Sequence, residues 1–376
     1  MSDTSTSREI PTPIRAAIVV ALIYVFLVGV SSLEAGIKIM GEDTQEKLFS
    51  AASNPIAALC IGILGTVLVQ SSSASTSVIV GLAATNKLGV DDAVPMIMGA
   101  NIGTTVTNTL VSLGHIRQSN EFRRAFAAAT VHDFFNVLAV AVLLPVELFT
   151  GVISNIAETI SENLVGASGT EWKSPVKAWV KEPVSWVKDL WEALGTSGNV
   201  RGIMVVLTGL VIILIALSAI TKNMRSLVAD RVERSMNALL SRGGGMVALL
   251  LGIVITISVQ SSSITTSILI PMAGAGVISL RNAYPVTLGA NVGTTITALL
   301  ASLAASSPES LTVALAHTTF NVMGIFFLYI IPIARDVPIV AAEKLADIAV
   351  ERRTLAVGYV AVMFIVLPLL GVALLR

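Results

Sequence analysis

Long apolar runs separated by short polar connections extend over most of the chain. Five runs contain few polar residues and are each about as long as a bilayer is thick: 14–33, 122–146, 202–220, 311–333 and 355–375. A membrane-spanning helix needs about 20 mostly apolar residues. The pattern therefore predicts five uninterrupted transmembrane helices.

Four further apolar runs are interrupted by polar residues. Runs 95–113 and 285–303 carry glycine, asparagine and threonine near their middle, which predicts two broken membrane-spanning helices. Runs 55–85 and 246–276 are too long for one crossing and have glutamine and serine at their centre. Irregular backbone at membrane depth is tolerated where it lines a cavity inside the protein. These two runs therefore predict re-entrant helical hairpins, leaving seven full spans.

Composition supports a membrane protein. Hydrophobic residues make up 54% of the chain and charged residues 13%, whereas soluble domains carry about 25% charged residues. This excludes a soluble enzyme, a disordered protein and a secreted disulfide scaffold. The formal net charge is zero, so no nucleic-acid partner is expected. The single cysteine, Cys60, cannot form an internal disulfide. The predicted environment is a lipid bilayer.

Segment 147–200 differs from the rest because it is net acidic and contains all four tryptophans. Trp172, Trp179 and Trp186 recur every seven residues, which predicts one face of an amphipathic helix, although Pro183 should break it. Indole rings favour the membrane interface; a small soluble cap around the tryptophans is the alternative. We interpret this segment as an extracytoplasmic linker.

The distribution of Lys and Arg predicts a cytoplasmic N-terminus. With re-entrant hairpins, three basic clusters fall on the inner side and the acidic linker outside. Their members are Arg8, Arg15, Arg117, Arg123, Arg124, Lys222, Arg225, Arg231, Arg234 and Arg242.

The two halves of the chain repeat each other. Gln-Ser-Ser-Ser at 70–73 recurs at 260–263, and Gly-Ala-Asn-Ile-Gly-Thr-Thr at 99–105 recurs at 289–295 with one conservative change. The halves enter the membrane from opposite sides, which is typical of secondary transporters with a site at the repeat interface. We therefore predict an all-α polytopic membrane protein with two inverted-topology repeats, each with a re-entrant helical hairpin and a broken transmembrane helix. The predicted divisions are a first repeat (1–146), the linker (147–200), a second repeat (201–334), and a cytoplasmic amphipathic segment with a C-terminal transmembrane helix (335–376).

The duplicated serine motifs predict an anion site. A half-helix that begins at these serines directs free backbone N–H groups and its positive dipole end into the protein. The motifs contain no charged residue, so a co-bound cation with oxygen ligands would balance the anion. Packing between membrane helices is the alternative role of such polar residues. It is also the favoured role of His132 and His317, whereas Asp133 is equally compatible with a site and with pairing at a helix end.

These motifs resemble the type II sodium/phosphate cotransporter family. The resemblance rests on both Gln-Ser-Ser-Ser motifs, on 99–109, on Glu-Phe-Arg-Arg-Ala-Phe at 121–126 and on Val-His-Asp-Phe-Phe-Asn at 131–136. It implies sodium-driven import of inorganic phosphate. The substrate-binding residues implied are Gln70, Ser71, Ser72, Ser73, Gln260, Ser261, Ser262 and Ser263. The sodium-binding candidates are Asn101, Thr104, Thr105, Thr109, Asn136, Asn291, Thr294, Thr295, Thr297 and Asn321.

The chain departs from the animal pattern of that family. Gln118 stands where animal members have an aspartate, and the linker has neither cysteine nor an Asn-x-Ser/Thr sequon. These features suggest a bacterial member in the inner membrane. Alternatives to sodium:phosphate symport are symport of another oxyanion such as sulfate, proton coupling, or a passive anion channel. An intramembrane serine hydrolase is disfavoured, because a nucleophile requires one activated serine and not two symmetric triplets.

Overall fold

The computed structural model describes residues 11–41, 44–45, 50, 52–85, 87–166, 177–242, 244–305 and 307–375, which form helices and no strands. The helices are α1 Thr12–Ile39, α2 Pro55–Val69, α3 Ser72–Ala83, α4 Val90–Thr104, α5 Val106–Leu113, α6 Ser119–Thr150, α7 Val152–Gly166, α8 Lys177–Ala193, α9 Gly198–Arg242, α10 Gly245–Val259, α11 Ser262–Gly274, α12 Leu280–Ala304, α13 Pro308–Ile325, α14 Pro332–Glu351, α15 Arg353–Ala361 and α16 Leu367–Leu375. Two π-helical turns, Phe326–Ile330 and Val362–Val366, extend α13 and join α15 to α16.

Six described helical segments are long and apolar enough to cross a membrane: Thr12–Ile39, Ser119–Thr150, Gly198–Met224, Leu280–Ala304, Pro308–Ile330 and Arg353–Leu375. Five of them correspond to the five predicted uninterrupted spans, with boundaries shifted by a few residues. The chain is thus a multi-pass membrane protein, as predicted.

Both hairpins form where the polar residues interrupt the apolar runs. In the first hairpin, α2 ends at Val69 and α3 begins at Ser72; in the second, α10 ends at Val259 and α11 begins at Ser262. The helical arms of both hairpins are each too short to cross a bilayer. The residues between the two arms are Gln70–Ser71 in the first hairpin and Gln260–Ser261 in the second, and they form the hairpin tips.

The two predicted broken spans differ from each other. The first is interrupted at Thr105, between α4 and α5, whereas the second continues without a break as α12. The prediction of a break in the second span was therefore wrong. After the shared Gly-Thr-Thr, the first span has Asn108 and Thr109 where the second has Ala298 and Leu299. Alanine and leucine favour the helix, while asparagine and threonine disfavour it.

Each hairpin packs its first arm closely on the following span. A Cβ atom added to Gly62 of α2 would lie 2.0 Å from the Met96 carbonyl oxygen, and one added to Gly252 of α10 would lie 2.1 Å from that of Val286. Small residues allow membrane helices to approach this closely. The same contact, at equivalent positions 190 residues apart, therefore holds both hairpins in place.

We expect Gly62→Ala to prevent stable folding, because its methyl group would overlap the backbone of α4 in a close-packed interior. Gly65→Ala, three residues away on the same helix, is the matched control, since its Cβ meets no atom within 4 Å. Monodispersity in detergent and thermal unfolding would measure both. Equal stability of the two variants would contradict the close contact.

Helices α1 and α9 lie against each other in antiparallel orientation. A Cβ on Gly29 would lie 3.0 Å from the Gly209 carbonyl oxygen, and one on Gly36 would lie 2.8 Å from that of Gly202. The later residue of α1, Gly36, contacts the earlier residue of α9, Gly202, so the two helices run antiparallel. Because α1 and α9 are the first spans of the two halves, this agrees with the expected inversion.

The linker contains α7 and α8, and α8 continues through Pro183 although a break was expected there. Proline has no N–H to donate to the carbonyl four residues earlier, which belongs to Trp179. The Tyr24 hydroxyl donates to this carbonyl instead, at 2.8 Å, so the Trp179 carbonyl still has a hydrogen-bond donor. Trp179 and Trp186 are both exposed; Trp172 and Arg8 lie outside the described residues.

Helix α14 lies at the end of the molecule where α6 and α12 begin. Arg123 of α6 forms an ion pair with Asp347, and Arg281 of α12 pairs with Asp336 at 2.6 Å. The hydrogen bond from Arg123 holds the pKa of Asp347 below its ordinary value. The amphipathic helix α14 therefore lies on the same side as the cluster Arg117–Arg124, where a cytoplasmic segment was expected.

Candidate substrate and ion site

The two hairpin tips have the same unusual backbone. Gln70 and Gln260 both have φ of 55°, and among the described residues they are the two non-glycine residues with positive φ. The left-handed conformation costs a non-glycine residue about 1–2 kcal/mol. A conformation that costs energy at both tips indicates that each glutamine side chain has a specific role there.

Both glutamine side chains make the same pair of hydrogen bonds. The amide nitrogen of Gln70 donates to the Val67 carbonyl at 2.6 Å, and its amide oxygen accepts from the Thr107 hydroxyl at 3.2 Å. Gln260 repeats these bonds with Ile257 at 2.7 Å and with Thr297 at 3.2 Å. Each side chain therefore closes the end of one hairpin arm and ties the tip to the following span.

A serine begins the second arm of each hairpin. Ser71 Oγ accepts a hydrogen bond from the Ala74 N–H at 3.2 Å, and Ser261 Oγ accepts from the Ile264 N–H at 3.3 Å. These N-caps occupy one N–H of the first helical turn. The two preceding N–H groups of each helix have no acceptor within their own helix; they belong to Ser72, Ser73, Ser262 and Ser263.

The two tips meet at one cavity of about 320 Å³, which is lined by all eight predicted substrate-binding residues. Helix α9 contributes Leu214, Leu217, Ser218 and Thr221 to its wall. None of the described residues that line it is charged. The cavity thus combines two helix N-termini, free N–H groups and serine hydroxyls, a set that suits an anion.

Sequence reasoning missed several lining or supporting residues. Thr107 holds Gln70 as Thr297 holds Gln260, and the 190-residue offset would have identified it. Ser218 and Thr221 lie one helical turn apart in an apolar span, a signal that was available. Arg123 and Arg124 do not line the cavity; Arg124 donates to the Gly274 carbonyl at the end of α11.

The sodium-binding candidates are distributed over several places. Thr297 lies at the second tip, and Thr109 donates to Asp133 at 3.2 Å. Four threonines donate to carbonyls of their own helices: Thr104, Thr105, Thr294 and Thr295. The four asparagines, Asn101, Asn136, Asn291 and Asn321, are buried in the centre among His132 and His317.

Asp133 is a buried carboxylate in α6. Its Oδ2 atom accepts from Thr109 and, at 3.0 Å, from the Tyr359 hydroxyl. Its Oδ1 atom has no hydrogen-bond partner within the described part of the chain. A buried carboxylate oxygen without a partner is a ligand that a small cation would satisfy.

The family model and the relatives that match this chain point to the same family. The family model described as Na+/Pi-cotransporter matches residues 25–167 and 212–342. Sodium-dependent phosphate transport protein 2B of Homo sapiens is 32% identical over 450 residues, covering 94% of this chain and 64% of the relative. Protein 2A of Rattus norvegicus is 33% identical over 425 residues, covering 94% and 67%. The chain therefore spans about two thirds of these relatives. No solved structure matches it.

Proposed function

This chain belongs to the Na+/Pi-cotransporter family, and we propose that it imports inorganic phosphate by symport with sodium ions. The relatives it matches are named as sodium-dependent phosphate transport proteins. The observation that carries the proposal is the cavity where both serine tips meet. Because two opposed half-helices form it, movement between the repeats can expose it alternately to either side.

Phosphate would be held by the hairpin tips. The free N–H groups of Ser72, Ser73, Ser262 and Ser263 surround the cavity with hydrogen-bond donors, and the serine hydroxyls add more. Each Gln side chain fixes the left-handed turn that directs these donors inward. Hydrogen bonds to a charged acceptor are the stronger kind, about 1.5–3 kcal/mol each.

Sodium would supply the positive charge that the cavity wall lacks. Hydroxyl, amide and carboxylate oxygens are suitable ligands for a hard cation, and the candidates nearest the tips or the carboxylate are Thr297, Thr109 and Asp133. Anion and cation bound together attract each other more strongly in a low-dielectric interior than in water. Each therefore raises the affinity for the other, which is the basis of coupling.

The proposed setting is the inner membrane of a bacterium, with a cytoplasmic N-terminus. Support comes from the basic residues near the starts of α1 and α6 and from the acidic linker, which would then be extracytoplasmic. The divisions 1–146, 147–200, 201–334 and 335–376 remain our interpretation of the chain.

We expect labelled phosphate to accumulate in proteoliposomes under an inward sodium gradient and not under an equal potassium or proton gradient. A cavity without a charged residue needs a co-bound cation to hold the anion, and the choice of sodium follows from the relatives, which are named as sodium-dependent. Excess sulfate should leave uptake unchanged. Equal uptake in potassium would contradict sodium coupling, competition by sulfate would favour a general oxyanion carrier, and flux without accumulation would indicate a channel.

A further inference from the structure

A chain of hydrogen bonds connects the second hairpin to the spans of both repeats. We call it the central polar chain, and its members in order are Thr266, Asn108, His132, Asn291, Asn136 and the backbone carbonyl of Asn101. The distances between successive partners are 2.7, 3.3, 2.7, 2.8 and 2.8 Å. Every side chain in it is buried.

The backbone carbonyl at one end fixes the direction of each bond as far as the His132 ring. A carbonyl only accepts, so the Asn136 amide nitrogen must donate to it, which leaves the Asn136 amide oxygen to accept from Asn291. The Asn291 amide oxygen must then accept from His132 Nε2. His132 therefore carries its proton on Nε2.

The other ring nitrogen completes the same pattern. With Nε2 protonated, Nδ1 of a neutral imidazole accepts, and the Asn108 amide nitrogen supplies the donor at 3.3 Å. The Asn108 amide oxygen in turn accepts from the Thr266 hydroxyl, which also lies 2.8 Å from the Ser262 carbonyl. Each amide and ring nitrogen thus has a suitable partner, and none of the bonded side chains is charged.

The central polar chain passes from one repeat to the other three times. Thr266 and Asn291 belong to α11 and α12 of the second half, while Asn108, His132 and Asn136 belong to α5 and α6 of the first. Its first member is in the opening turns of α11, four residues after Ser262, which lines the cavity. Buried hydrogen-bond networks of this kind favour one arrangement of the elements they join.

We propose that His132, as the neutral Nε2–H tautomer, is a positioning residue that holds the second hairpin in the geometry needed to bind substrate. It does not line the cavity and acts through Asn108 and Thr266. The transport test of this proposal rests on the proposed sodium:phosphate symport. It assigns the ring a role as a fixed donor and acceptor.

The corresponding histidine of the second half provides an internal comparison. His317 Nε2 lies 3.5 Å from the Asn101 amide oxygen, and its Nδ1 has no partner among the described residues. The reason is that Ala298 occupies the position equivalent to Asn108. His317 therefore lacks the connection to a hairpin that His132 has.

We expect His132→Leu to raise the KM for phosphate by about tenfold, which is about 1.4 kcal/mol, because leucine leaves the amides of Asn108 and Asn291 without their partner. His132→Gln, whose amide N–H can still donate to Asn291, should stay within about threefold of wild type. Asn108→Ala should resemble His132→Leu, and His317→Leu should have a clearly smaller effect. An unchanged KM in His132→Leu, no rescue by His132→Gln, or equal losses at His317 and His132 would overturn the proposal.

The tautomer is measured independently of transport. The chain has three histidines, so ¹⁵N-histidine NMR can be assigned by comparing wild type with His132→Gln and with the His317 variant. We expect His132 to show a protonated Nε2 and an unprotonated Nδ1. An Nδ1–H tautomer or an imidazolium would overturn the inference even if transport is as proposed. Absence of sodium-driven uptake by wild type would instead contradict the proposed function.

Discussion

Replacing Gln70 or Gln260 with alanine is expected to lower phosphate uptake at least about tenfold in each case. Each substitution removes two hydrogen bonds that hold a tip, one to the preceding helical arm and one to a threonine of the following span. An ordinary hydrogen bond contributes about 0.5–1.5 kcal/mol, so losing both bonds at one tip corresponds to about one tenfold step, which is about 1.4 kcal/mol. Because both tips line the same cavity, neither half can replace the other.

The backbone and the side chain can be separated at these positions. Glycine adopts the left-handed conformation without a steric cost, so Gln70→Gly and Gln260→Gly keep the turn and remove only the amide. We expect these variants to insert and fold as wild type does and still to lose uptake. Asn163→Ala removes an exposed amide that bonds its own helix and does not line the cavity, and it serves as the matched control.

Normal uptake in Gln70→Ala would show that the first tip only packs, and normal uptake in Gln260→Ala would show the same for the second. Loss of uptake in the alanine variants with full recovery in the glycine variants would assign the effect to backbone strain. Labelled phosphate uptake, normalised to the amount of inserted protein, measures all of these outcomes.

The hairpins were predictable because their signals are local. A polar Gln-Ser-Ser-Ser in the middle of an apolar run cannot face lipid, and serine is a favoured residue at the start of a helix. The duplication then indicated that the two tips belong together, and they share one cavity.

Other features depend on partners distant in sequence and could not be predicted. The sequence around Pro183 predicts a broken helix, and the Tyr24 hydroxyl, which bonds the carbonyl that this proline leaves without a helical donor, is more than 150 residues away. Likewise, His132 gave no sign that it bonds Asn291 of the other half. A polar residue in an apolar run indicates that a partner exists, but it does not identify that partner.

The two halves share a backbone plan and differ in a few polar positions. Asn108 and Asp133 of the first half are replaced by Ala298 and Thr318 in the second. Asn108 connects His132 to the second hairpin. Asp133 gives the first half a buried carboxylate that the second half lacks at the equivalent position. Repeat symmetry therefore builds the cavity, while these substitutions make the two halves chemically different.

If the repeats are inverted, the open ends of the two hairpins lie on opposite sides of the membrane. Lys87 follows the first hairpin and Val277 follows the second at the equivalent position 190 residues later, and both are exposed. The antiparallel packing of α1 on α9 is consistent with two halves that enter the membrane in opposite directions. In a Cys60→Ala background, which removes the one native thiol, Lys87→Cys should react with a membrane-impermeant reagent only from outside. Val277→Cys should react only from the cytoplasmic side.

Right-side-out and inside-out vesicles, each exposed to the reagent before solubilisation, would measure this difference. Both cysteines should react after the membrane is dissolved, which controls for local burial, and the Cys60→Ala parent should remain unlabelled. Labelling of both positions from one side would exclude inversion, because re-entrant hairpins of opposite orientation have their open ends at opposite faces. A reversed result, with Lys87→Cys reactive from the cytoplasm, would preserve the inversion and place the N-terminus outside.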